Sequence, residues 1–207
     1  MAEDLASLVT PWRAAVVTSE IQNGVLGDPS VFPQLAEVAR ETMIPATARL
    51  VKAARVAGVQ VIHCTFSHRP DYKATNTNAR LFLNARQSPV RLARGGKTAA
   101  VIPEVGAEPD DLVLTRAHGL NPMAGTDLDP VLRNLDLRTI VVAGVSVNVA
   151  ITNLVMDAVN HGYDVVLPRD AVCGVPADYA DAMIDNTLSL LATLTTVDEL
   201  VEIWSKQ

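Results

Sequence analysis

The sequence predicts an α/β fold, a Rossmann-like doubly wound parallel sheet of about six strands with helices on both faces. Three observations predict it. Short β-branched runs alternate with longer segments whose apolar residues recur three and four apart, as parallel strands alternate with crossover helices. Glycines stand where two of the helical segments must stop, at Gly58 and Gly162. No repeat or linker interrupts the 207 residues, and 49% hydrophobic content fills a single core, so residues 1–207 read as one domain.

In chain order, the strands are expected at residues 14–18, 59–65, 112–115, 139–143 and 164–167, with a weaker last one at 193–196. Helices are expected at 34–57, 127–135, 147–161, 177–191 and 197–204, each with an apolar stripe at helical spacing. Residues 66–100 fit neither period and read as a long loop. That stretch holds Arg69, Lys73, Arg80, Arg86, Arg91, Arg94 and Lys97, seven of the 17 basic residues, against the single acid Asp71. A long loop with its own charge serves as a lid over an anionic substrate, as a contact for an acidic neighbouring subunit, or as plain solvated surface.

Composition excludes several classes of function. A net charge of -6 argues against phosphate backbones and anionic lipid, and 4% aromatic residues are too few for a base-stacking platform. No apolar run approaches the ~20 residues that a spanning helix requires. The start MAEDLASLV carries acids where a signal peptide carries bases, and two cysteines make no disulfide scaffold, so a cytoplasmic protein is expected. The partner that remains is a small molecule, with no nucleic acid, no membrane and no cofactor.

In an open α/β sheet the ligand lies beyond the carboxyl ends of the strands. The candidates there are Ser19, Glu20, Gln22 and Asn23 after the first strand, Arg116 and His118 after the third, and Ser146, Asn148 and Ala150 after the fourth. Glu20 ends an apolar run with no capping duty, which is a costly place for an idle carboxylate. It reads as a functional acid or as the structural ion-pair partner of Arg116. Residues 144–150 form a strand-to-helix turn whose backbone N–H groups suit an oxyanion. Ser146 lacks the second glycine of a serine-hydrolase elbow. Cys64 and Cys173 read as inert small hydrophobes. His63 and His68 have no acid or thiol at ligand spacing, so no metal site is expected. Gly95, Gly96, Lys97 and Thr98 match the end of a phosphate-binding loop, but its first glycine would fall at Arg91.

Four pieces, at 15–23, 125–129, 143–150 and 162–171, resemble the isochorismatase-like superfamily of cysteine hydrolases, and the likeness runs from about Trp12 to the last helix. The resemblance implies an aspartate after the first strand, a lysine after the third and a cysteine nucleophile at the helix start after the fourth, used to hydrolyse amides of small molecules. Position by position, these sites are Glu20, Arg116 and Ala150, and all three depart. Ala150 has no nucleophilic atom. The interval from Arg116 to Thr126 is one residue longer than the family pattern, which brings His118 toward the pocket. Gln22, His118, Ser146 and Asn148 are then expected to bind substrate around the catalytic positions. Isochorismatase itself, a member without the cysteine, cleaves a vinyl ether with the aspartate as acid, which makes a thiol-free hydrolase of a carboxylate-bearing molecule conceivable with Glu20 as general acid. The alternative is a pseudoenzyme that binds a small molecule or serves a regulatory role. The resemblance further implies a homodimer or homotetramer and a cis bond between Val145 and Ser146.

Overall fold

The computed structural model describes residues 4–206. Among them one parallel sheet of seven strands runs through the molecule: β1 (Ala14–Ser19), β2 (Gln60–Phe66), β3 (Leu112–Arg116), β4 (Thr139–Val145), β5 (Asp164–Pro168), β6 (Val172–Cys173) and β7 (Thr193–Thr195). Its spatial order is β3-β2-β1-β4-β5-β7, with β6 extending the sheet beside the end of β4. The expected count of about six is raised by β6, whose two residues are too short to carry a period. The order reverses between β1 and β4, so the crevice of this fold lies at their carboxyl ends.

Both faces of the sheet are covered. Along β1 and β4 alternate side chains go to opposite cores: Val16, Val141 and Ala143 to one, Ala15, Val17, Ile140 and Val142 to the other. The first core takes α1 (Leu5–Leu8), α2 (Asn23–Leu26), α3 (Pro33–Glu41), α4 (Met43–Ala57) and, at the far end of the sequence, α9 (Val197–Trp204). The second takes α6 (Leu128–Asn134), α7 (Thr152–Asn160) and α8 (Ala177–Asn186). Those labels leave α5 (Arg80–Gln87), which has no buried residue and lies within the basic stretch. A hydrogen bond of 2.8 Å from Trp204 Nε1 to the Val9 carbonyl fastens α9 to the start of the chain.

Three expected helices are broken, the segment 177–191 ending as α8 at Asn186 before a separate 3-10 turn at Leu188–Leu190. The segment 34–57 divides at Thr42 into α3 and α4, because Pro45 has no N–H for the Glu41 carbonyl and its ring would strike that carbonyl in a continuous helix. The segment 147–161 begins with one π-wound turn, Val147–Ile151, in which Ile151 N–H donates to the Ser146 carbonyl at 3.0 Å before α7 proper starts. Gly58 and Gly162 do terminate helices, in the left-handed conformation (φ 76° and 86°) that glycine adopts without steric cost.

Candidate active site

Two local devices aim the site at the switch point. The first is Glu20, which leaves β1 in the left-handed region at φ 57°, a conformation that a glutamate holds only when its surroundings impose it. Its N–H donates to the Cys64 carbonyl at 2.9 Å. The second is Gly144, at φ 112°, paired in register with Ser19. A Cβ there would lie 2.2 Å from the Ser19 carbonyl oxygen, so only glycine lets the two central strands approach this closely. The next bond, Val145–Ser146, is cis, as the family resemblance implies.

Glu20, Arg116, Ser146, Asn148 and Ala150 line one cavity of about 680 Å³. Arg116 ends β3, and its guanidinium donates through Nη2 to Glu20 Oε1. The Arg116 side chain is 4% exposed and that of Glu20 is 19% exposed, so the pair forms the floor of the cavity. The guanidinium sits 5.5 Å from the centre of the Phe66 ring, while its buried Nε and Nη1 have no hydrogen-bond partner among the described residues. Asn148 donates to the Val175 carbonyl at 3.1 Å and leaves its buried Oδ1 without a partner as well. Ala150 presents a methyl group.

The two other expected binding residues lie elsewhere. Gln22 is fully buried and its amide is committed: Nε2 donates to the carbonyls of Phe66 (2.8 Å) and Ala99 (2.7 Å), and Oε1 accepts from Phe66 N–H (2.8 Å). It positions the cavity rim instead of touching the contents. His118 is exposed and borders a separate cleft of about 280 Å³ with Arg94, Thr115 and Thr126, on the far side of Arg116. The basic stretch supplies what the strand-end rule missed. His68, Tyr72, Leu81, Phe82 and Arg86 form the outer wall of the cavity. Tyr72 stacks on His68 at 4.2 Å and carries the guanidinium of Arg86 at 5.0 Å and that of Arg91 at 5.6 Å from its ring centre. The spacing of Leu81, Phe82 and Ala85 was the available signal for this wall.

No thiol serves the site. Burial pushes the Cys64 thiol up to about 12 although Arg116 pulls it the other way, and burial likewise pushes Cys173 up to about 12. Other family-like pieces hold the fold together. Asp129 accepts the Tyr163 hydroxyl at 2.9 Å, and Asp170 accepts Val197 N–H at 2.9 Å at the start of α9.

The sequence and the fold have known counterparts. Residues 14–199 match the isochorismatase domain model. A ureidoacrylate amidohydrolase of Methylorubrum extorquens is 28% identical over 148 residues, 65% of this chain, which spans only 59% of that protein's length. Another from Azorhizobium caulinodans is 25% identical over 200 residues, covering 89% of this chain and 87% of that protein. Among solved structures, a cysteine hydrolase from Pseudomonas syringae pv. phaseolicola superposes with a TM-score of 0.83 at 26% identity, over 96% of this chain and 95% of its own. With the sheet order, the switch-point cavity and a match over nearly the whole length in agreement, the chain belongs to the isochorismatase domain family, a family of hydrolases.

Proposed function

We propose that this protein hydrolyses a small carboxylate-bearing molecule without a covalent intermediate, Arg116 anchoring the carboxylate and Glu20 acting as general acid. One observation carries this reading: the guanidinium that holds Glu20 lines the cavity and has two further nitrogens, buried and without a partner among the described residues. A substrate carboxylate that reaches the guanidinium competes with Glu20 for the cation. Glu20, loaded with a proton from solvent when the substrate displaces it from Arg116, delivers that proton to the departing atom or to an unsaturated carbon as the bond to the leaving group breaks. Water adds to the electrophilic centre and gives its proton to solvent, and the carboxylate left on Glu20 pairs again with Arg116. Ser146 and Asn148, on the turn after β4, line the cavity beside Arg116 and Glu20 for the rest of the substrate.

The test is Glu20→Gln, which keeps the size of the side chain and its hydrogen bonding. Ligand affinity is expected to persist while turnover falls by about 10²–10⁴. Undiminished turnover removes Glu20 as the acid. A second reading, a binding protein without turnover, draws on the methyl group of Ala150 and the two protonated thiols. It requires that the parent protein bind carboxylates and hydrolyse none of a panel of vinyl ethers and amides.

A further inference from the structure

We infer that the ligand is an amphipathic monocarboxylic acid with a bulky apolar body, aromatic or branched, rather than a small polar acid. This rests on the reading of Arg116 as the carboxylate anchor and adds what the remainder of the cavity selects. A space of about 680 Å³ falls within the ~300–1,000 Å³ of sites that enclose drug-sized molecules. A fragment of a few atoms would leave most of it to water. Its charges are segregated. Glu20 and Arg116 lie at the floor and Arg86 at the outer wall, where its guanidinium is occupied with the face of Tyr72. Between them the lining is mostly apolar, with Phe32 and Leu35 from the α3 side, Phe66 from the end of β2, Leu120 from the segment after β3, and Leu81 and Phe82 from α5. Gln34, Thr75, Asn84, Ser146 and Asn148 add isolated polar groups.

Leu35 belongs to the core and Phe32 and Phe66 pack against it, whereas the α5 contribution is not core. That helix has no buried residue, and Leu81 is 37% exposed, as its apolar side faces the cavity and not the protein interior. Exposed apolar surface gathered around a single buried cation is complementary to a molecule with one anionic end.

The inference is tested by calorimetric titration of the full chain with acetate, benzoate, phenylbutyrate and biphenylcarboxylate, each beside its primary amide. Affinity is expected to rise by about tenfold or more from benzoate to phenylbutyrate, since each buried apolar Å² contributes ~25 cal/mol. Arg116→Met should weaken the acids by about ten- to a hundredfold and leave the amides unchanged. Leu81→Glu alters an exposed position, leaves folding intact, and should weaken the larger acids at least tenfold while sparing acetate. Equal affinity across the acid series overturns the apolar body, and amides that bind as well as acids overturn the carboxylate head. Absence of turnover with the binding pattern intact removes the hydrolase reading and not this one.

Discussion

At the scale of single residues, the decisive fact is a missing sulfur. Ala150 stands where the family resemblance puts a nucleophile, and of the two cysteines Cys64 is buried and Cys173 half-buried, with both thiols pushed up to about 12. Alkylation with iodoacetamide at neutral pH is therefore expected to leave any hydrolytic rate unchanged, checked by mass spectrometry of the labelled protein beside its activity; inactivation in step with labelling of Cys173 would contradict this. The sequence made Glu20, Arg116, Ser146, Asn148 and Ala150 legible as one site because each follows a strand end, and strand ends converge in this fold. It misjudged Gln22 for a local reason. The left-handed turn at Glu20 breaks the two-residue alternation of β1, so counting onward from the strand no longer tells which side a residue faces. His118, expected toward the pocket from the length of the interval between Arg116 and Thr126, borders the second cleft instead, with Arg116 lining both.

At the scale of elements, strands were readable to within two residues because buried parallel strands are runs of β-branched residues, and so was the stop of α4 at Gly58. Where helices deviated, tertiary demands prevailed. The π-wound turn after β4 carries 147–151 along the cavity wall, and α5 escaped detection because it covers a void and not a core, with only a few apolar residues to repeat. The closeness of β1 and β4 rests on one residue. Gly144→Ala should destabilise the protein by more than about 2 kcal/mol, since the methyl group would meet the Ser19 carbonyl at 2.2 Å and the backbone would be forced to a φ that alanine avoids. Denaturant titration measures this, and a cost below about 0.5 kcal/mol would mean that the strands separate easily.

At the scale of the whole molecule, a buried polar chain crosses from α4 to β1: Arg55 donates to Asp111 at 2.5 Å, His63 Nε2 lies 3.3 Å from Asp111, and its Nδ1 lies 2.9 Å from Thr18 Oγ1. Burial holds the His63 imidazole below its usual range, with Asp111 opposing the shift. An unfolded chain takes up a proton as pH falls below about 6.5, whereas the folded one resists it, so the stability from neutral His63 is whole above that pH and is lost below it. The melting temperature is expected to fall from pH ~7.5 to ~5.5, and more steeply in the parent than in His63→Gln; equal slopes would assign the loss to other groups. Gln22 binds the molecule together differently. One amide holds the carbonyls of Phe66 and Ala99, so the segment between them leaves and rejoins the body at a single point. Its interior is anchored as well, by Leu92 in the core and by Asn76, which accepts from Gly119 N–H, but the cost of bringing its ends together is met by an amide outside the segment itself. Within that segment α5 buries no residue, so substitutions on it reshape the outer wall of the cavity while Glu20 and Arg116 stay on the strand ends that hold them, and wall and floor can change independently.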